Sequence, residues 1–453
     1  MDFARRTFIA SPAALVVQAE VVLPTKQLGN AQDGAGLRRT MTLLETSTPQ
    51  HRNTVKILFY GQSITKQAYW MLVIAELRAR YPNADIVGVN RSIGGFAAPV
   101  LRRTLENNVF PFYPDLIVFH DYGAEEDYEW IVREFRQRTT AEIALQTDHV
   151  AIGQKDDWHD RHSYEWLRDL AGKYGCEWME IRKPWKDYLE QNGLTAKDLL
   201  RDNVHLNEAG EALMAKLLLT HFRKAPGPVD DSLVRTYVVG KDWEWKDGRI
   251  ELPFEGNRIE AIAAASEYQP YSRALFRIDG KKPSEFPEMY AFTRMSDTVG
   301  PDWPLAIRVT SERPLLVEDW FLKILETDAA SKVFRFEVRG AATGIDGVGV
   351  STERFVSKSG RVVIEPQDWW ASRAFDYSRK PMPVGYEAYW KAVALHADEW
   401  VQPRIDDLTR EHVTVIASGL GNGKHKLEIV SGTATTPQIA AIRVYRPPWK
   451  EQK

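Results

Sequence analysis

Three short segments carry residue types able to act together as nucleophile, base and oxyanion donor. Gly61-Gln62-Ser63-Ile64-Thr65 puts a serine directly after an apolar run and ahead of a helical pattern. A serine in such a strand-to-helix turn stands at the carboxyl edge of a sheet. Its backbone N–H lies at a helix N-terminus, aimed at any developing oxyanion. Asp202-Asn203-Val204-His205-Leu206-Asn207 separates a carboxylate from an imidazole by one turn of chain. Asp202 can therefore reach one ring nitrogen of His205, fix its tautomer and support the imidazolium formed when the other nitrogen takes a serine proton. Asn90-Arg91-Ser92-Ile93-Gly94-Gly95 ends in paired glycines, which let backbone approach a ligand and offer an N–H to an oxyanion. Each segment also has a plainer reading: a helix-capping serine, a capped turn with Asn207 as N-cap, and a simple glycine turn.

What these segments need is a scaffold that brings them to one edge. From residue 54 to 224 the chain alternates strand and helix patterns. Val55–Tyr60, Ile86–Val89, Leu116–Phe119, Glu142–Leu145 and Glu177–Ile181 read as buried strands, and residues 66–80 and 207–222 carry apolar positions at helical spacing. This predicts a parallel sheet with helices on both faces, whose ligands bind at the carboxyl ends of the strands. Residues 225–229 form a proline-stiffened linker. Beyond it, from 230 to 453, many short strands separated by turns such as Asp279-Gly280 and Gly421-Asn422-Gly423 predict a β-sandwich of jelly-roll type. Leu305–Val309 is among the expected strands. Eight tryptophans fall in this half: Trp243, Trp245, Trp303, Trp320, Trp369, Trp370, Trp390 and Trp400. An exposed stripe of them would bind carbohydrate, although tryptophan in a sandwich is more often core.

In this order and at these fold positions, the three segments resemble the SGNH, or GDSL-like, hydrolase family. Gly61-Gln62-Ser63 matches its first block, Gly95 the oxyanion glycine of its second, and Asp202, His205 and Gly210 its last. The resemblance covers residues 54–224. It implies a flavodoxin-like α/β/α fold and a serine ester hydrolase, with Ser63, Asp202 and His205 catalytic and the N–H groups of Ser63 and Gly95 holding the oxyanion. Two positions depart from the pattern. Gln62 replaces the usual aspartate, whose role in the family is mostly structural. Glu125 falls where the family has an oxyanion asparagine, and an ionised carboxylate accepts hydrogen bonds but cannot donate one. Glu125 is therefore expected to point away from the reacting carbonyl, toward a sugar hydroxyl or a basic residue such as Arg91.

Other polar side chains crowd the strand ends. Gln62, Arg91, His120, Asp121, Glu125, Asp148, His149 and Trp158 form the expected substrate-binding set, able to grip sugar hydroxyls and stack on a ring. No tight His-x-x-x-His spacing supports a metal, and no cofactor is expected. The leading expectation is a carbohydrate-active esterase that removes acyl groups, chiefly acetyl, from oligo- or polysaccharide, with a role in polysaccharide degradation. The alternative is a glycosidase or lyase on the same fold, using Asp121, Glu125, Glu126 and Asp127 with His205. A third reading is a non-catalytic glycan-binding protein.

Composition sets the outer bounds. The 453 residues are too many for one ordinary core, and 44% hydrophobic with 27% charged residues excludes disorder and low-complexity scaffolds. A net charge of −3 gives no sign of a nucleic-acid partner, and no uninterrupted apolar stretch of about 18 residues suggests a membrane span. The single cysteine, Cys176, excludes an intrachain disulfide and a cysteine-rich zinc site. Within the N-terminal segment 1–53, Arg5-Arg6 ahead of Thr7–Val17 has the order of a secretory leader, which would fit a periplasmic or secreted bacterial protein. Ala14–Leu23 equally reads as a strand, and residues 20–53 could add one to the β-rich half.

Overall fold

The computed structural model describes residues 33–449 except 155, 225–228, 230–231, 267, 300–302, 329–331 and 379–381. The leader-like segment and most of the linker lie outside the described residues. No described helix is long and apolar enough to cross a membrane.

Five strands, β1 (Thr54–Gly61), β2 (Asp85–Asn90), β3 (Leu116–His120), β4 (Glu142–Gln146) and β5 (Glu177–Met179), form a wholly parallel sheet in the order β2-β1-β3-β4-β5. β1 is buried on both sides, which is why it reads as a continuous apolar run. Helices Arg38–Glu45, Tyr69–Arg80, Arg182–Gln191 and Glu208–Leu219 cover one face. Glu125–Arg138 and Leu167–Tyr174 cover the other. The result is the expected three-layer α/β/α unit. Its chain reverses direction of travel between β1 and β3, the point where such sheets open a crevice for ligands.

One expectation is corrected within this unit. The helix expected over 66–80 is split into Ser63–Lys66 and Tyr69–Arg80, because Gln67 is drawn into an extended conformation (ψ 163°). Its amide clamps the Leu206 backbone from both sides: Leu206 N donates to Gln67 Oε1 (3.0 Å) and Gln67 Nε2 to Leu206 O (2.9 Å). Of the segment 20–53, residues 20–32 lie outside the described residues, and 33–53 add no strand to the β-rich half. They form the helix Arg38–Glu45 on the parallel sheet, tied down by Glu142, which accepts the N–H groups of Arg39 and Thr40. Their bridge to the other half is the pair Arg52–Arg410.

The β-rich half holds two main antiparallel sheets. Six strands in the order Glu399–Val401, Arg273–Ile278, Val413–Ser431, Arg249–Ala263, Ile439–Tyr445 and Val234–Val238 form the first. Its two longest strands break register between Ser418 and Gly423, and the sheet closes over Leu252, Phe276, Trp400, Leu427 and Ile429. The second has five strands, Gly344–Val350, Val333–Gly340, Glu318–Asp328, Glu387–Ala394 and Tyr290–Phe292, all from one continuous stretch of chain. Leu305–Val309 is not a strand; Ala306 makes one bridge to Trp369. The tryptophans form no exposed stripe: Trp303, Trp320, Trp369, Trp390 and Trp400 are buried, and Trp243, Trp245 and Trp370 half-buried.

The two halves are packed together. Phe96 meets Trp370 with ring centroids 4.4 Å apart, Arg103 pairs with the buried Asp368 (2.6 Å), and Tyr113 Oη donates to Asn257 Oδ1 (2.7 Å).

Candidate active site

Ser63 opens the short helix after β1, as its sequence context predicts. The turn is tight: a side chain at Gly61 would strike the His120 carbonyl oxygen at 2.1 Å, so only glycine lets β1 end this close to β3. Gln62 is the helix N-cap. Its Oε1 accepts the N–H of Ile64 (3.3 Å) and the hydroxyl of Ser63 (2.8 Å). An amide oxygen thus does the local work that a carboxylate could do at this position.

The Asp202–His205 loop forms as the spacing predicts. Asp202 Oδ2 lies 2.8 Å from His205 Nδ1, while Oδ1 accepts the N–H groups of His205 (2.7 Å) and Val204 (2.9 Å). Partial burial works against the charged form of Asp202, but those N–H groups and the ring outweigh it and hold the carboxyl at about 2. With Nδ1 committed to Asp202, Nε2 is the nitrogen left to accept a proton. The loop is held by the Gln67 clamp, by His149 Nε2 donating to Val204 O (2.8 Å) and by Ile152 N donating to Asn203 O (2.8 Å). No hydrogen bond joins Ser63 to His205; in this structure the hydroxyl rests on Gln62.

The loop after β2 completes the edge. Gly94 packs beside Ser63, so that a Cβ at Gly94 would lie 3.8 Å from the Ser63 Cβ. Neither the Ser63 nor the Gly95 amide donates to another group among the described residues, which leaves both free for an oxyanion.

Five of the eight residues expected to bind substrate, the N-cap Gln62 and four more, lie inside the fold, unlike the exposed set the sequence suggests. His120, Asp121, Asp148 and His149 are almost wholly buried. Asp148 lies between His120 Nε2 (3.2 Å) and His159 Nδ1 (2.5 Å); burial disfavours its charge, but the two imidazoles outweigh burial and hold it below the usual carboxylate range. Asp121 has the opposite balance: burial, with Asp148 nearby, pushes its carboxyl well up. His149 is lowered to about 4 by burial, so it stays neutral and serves the His205 loop as a donor. Arg91 turns from the site and donates to the Asn107 and Asn108 carbonyl oxygens, its guanidinium over the Phe112 ring. Trp158 is half-buried and stacks on His162 at 4.9 Å.

Glu125 is directed toward helix Asp156–Arg161 and its continuation, not toward Arg91. It accepts from Arg161 Nη2 (2.7 Å) and sits 3.3 Å from His162 Nδ1. Asp127 pairs with Arg102. Of the acidic residues that a glycosidase would use, Glu125 and Asp127 are thus committed to different partners, Asp121 is buried and Glu126 is exposed. Two residues near the site had not been singled out for it by sequence reasoning: Gln67, four positions after Ser63, and Trp303, whose indole donates to Gly94 O (2.6 Å) from the β-rich half.

No family model matches the chain, and no curated protein matches it. Solved structures do. A two-domain esterase (CEX) active on acetylated mannans is 14% identical and is matched over 92% of this chain and 95% of its own, with a TM-score of 0.35. Axe2, an acetylxylan esterase from Geobacillus stearothermophilus, is 20% identical, with 39% and 96% covered and a TM-score of 0.34. LAE5, an alpha/beta hydrolase enzyme from the metagenome of Lake Arreo, Spain, is 20% identical, with 40% and 100% covered and a TM-score of 0.34. At these identities and scores no residue role passes from them to this chain.

Proposed function

We propose that this protein is a serine esterase that removes acyl groups, chiefly acetyl, from a carbohydrate. The observation that carries the reading is the Asp202–His205 pair, with Nε2 uncommitted, on a loop clamped by Gln67 to the segment that follows Ser63. In the reaction the Ser63 hydroxyl leaves Gln62 and donates to His205. Ser63 Oγ attacks the ester carbonyl as His205 Nε2 takes its proton, and Asp202 stabilises the imidazolium. The tetrahedral oxyanion takes the Ser63 and Gly95 N–H groups. Collapse breaks the carbonyl–alkoxy bond, and His205 returns the proton to the leaving sugar hydroxyl. Water, deprotonated by His205, then cleaves the acyl-serine to give the free acid and Ser63. Carbohydrate is the alcohol of the leading expectation from the sequence, and the aromatic rim beside Gly95 supports it.

Ser63→Ala tests the reading. It is expected to lower kcat on an acetylated oligosaccharide by about 10³-fold or more while leaving Tm near wild type. Near wild-type turnover by this variant would overturn the proposal.

A further inference from the structure

The loop that carries the oxyanion glycine is held from both halves of the molecule: its own half fixes it where Ile93 N donates to Gly61 O (3.0 Å), and the β-rich half fixes it at Gly94. Trp303 comes from the β-rich half, where Trp303–Pro304 pairs with Asp297–Val299. Its indole N–H donates to Gly94 O at 2.6 Å, and its ring lies against Gly95, where a Cβ would meet Trp303 Cζ2 at 3.4 Å. Gly95 has φ +76°, a left-handed conformation open to glycine at little cost, so the peptide that must present the Gly95 N–H is set by a backbone state that Trp303 pins at the preceding carbonyl. The same indole is one step in a run of rings. Phe96, fully buried, meets Trp370 at 4.4 Å; Trp370 meets Trp303 edge-on at 6.1 Å; Trp303 meets Tyr377 at 5.6 Å. The run begins in the core and ends in solvent, since Tyr377 is 71% exposed. Gly95, between the run and Ser63, is exposed too.

We infer that the β-rich half completes the active site, with Trp303 positioning the oxyanion loop and Tyr377 offering its ring as a stacking platform for a pyranose unit of the substrate. This rests on the esterase reading and adds to it where the sugar lies. A tyrosine ring left in water beside a buried tryptophan suits the apolar face of a pyranose, which needs a flat, rigid surface whose ordering costs little side-chain entropy. Trp303 acts through the loop. Its N–H consumes the Gly94 carbonyl and so fixes the plane of the next peptide, whose N–H faces the oxyanion only in one orientation.

Two full-length variants test the inference on two substrates, 4-nitrophenyl acetate and an acetylated oligosaccharide. Trp303→Phe keeps a ring and removes the N–H. It is expected to lower kcat about tenfold on both substrates with KM on the small ester held, because the lost alignment is felt in the transition state. Tyr377→Ala is expected to lower the ratio of oligosaccharide to small-ester kcat/KM about tenfold, chiefly through KM, with Tyr377→Phe restoring it. Wild-type kcat in Trp303→Phe, or an unaltered ratio in Tyr377→Ala, would overturn the inference. Failure of the esterase reading is separately visible: wild type would then turn over neither ester. In that case the platform is read by intrinsic fluorescence of wild type and Tyr377→Ala titrated with the deacetylated oligosaccharide. Binding weakened by the substitution supports the platform, and equal binding or none overturns it.

Discussion

Asp202 is half exposed, yet it takes three hydrogen bonds from one short loop, and that count matters more than its burial. Because its carboxyl is held at about 2, Asp202 stays ionised across the range in which an imidazole titrates. Asp202 is therefore expected to add no ionisation of its own to the acidic limb of kcat/KM until far lower pH. Asp202→Asn keeps the two backbone bonds at its oxygen but can place an amide opposite Nδ1, which favours the wrong tautomer. It is expected to lower kcat by several orders of magnitude, on the order of 10⁴-fold at neutral pH, with little change in Tm. A pH–rate profile of both proteins checks this, and an acidic ionisation present in wild type but lost in Asp202→Asn would contradict it. At this scale the sequence was informative where partners are close in the chain. Asp202 and His205 found each other across one turn. Glu125 did not reveal its direction, because its partners Arg161 and His162 lie 36 and 37 residues away on a different element. His120 and Asp148 misled for a related reason: polar residues after a strand can face a ligand or knit the loops together, and only packing decides which.

Among the elements, the parallel sheet was the most legible part, since strands buried on both faces announce themselves as apolar runs. The strand Glu318–Asp328 was missed. Its inward residues alternate correctly as Glu318, Trp320, Leu322 and Ile324, but outward Phe321 and Leu325 blur the period. Phe321 is covered by the Arg339 guanidinium at 4.2 Å, a contact no local pattern shows. The element most at odds with its surroundings is the start of β1. Lys56 projects toward the Phe112 ring, 4.8 Å from its centroid, and makes no ion pair or hydrogen bond through its ammonium among the described residues. Burial, then Arg258, lowers it to about 8, with Asp115 and Glu260 offsetting part of the shift and Arg91 adding to it. A lysine lowered in the folded state binds fewer protons there than when unfolded. Its penalty is full below pH 8 and is relieved as pH rises from 8 toward 10.5, so stability from this group rises with pH in that window. Lys56→Met is expected to raise Tm at pH 7 by about 1 °C, on the order of 1 kcal/mol, with the gain shrinking by pH 10. Thermal melts of the two proteins at pH 7 and pH 10 measure it; a lower Tm for the variant at pH 7 would show that the cation is paid for elsewhere.

Across the whole molecule, a linker stiffened by proline suggested two domains packed together, and the packing goes further than a shared surface. One contiguous apolar cluster contains Tyr60, Phe96, Leu101 and Phe135 from the α/β half together with Trp303, Leu305, Trp320 and Trp369 from the β-rich half. Its polar edge is closed by Arg103 against buried Asp368 and by Asn257, which donates to Arg138 O (2.9 Å). Neither half can present a finished surface without the other. Removing the β-rich half would uncover Phe96 and the rest of that cluster, strand Asp368 of its partner Arg103, and release Gly94 from the Trp303 indole. The full chain is thus expected to unfold in a single calorimetric transition, because separating the halves exposes core and not merely an interface. A fragment of residues 33–224 is expected to bind a hydrophobic dye, to self-associate, and to retain little turnover even where it stays soluble, since its oxyanion loop has lost its brace. Two well-separated transitions, or a monomeric fragment with wild-type kcat on a small acetyl ester, would show that the shared cluster is dispensable and that Ser63, His205 and Gly95 are aligned by the α/β half alone.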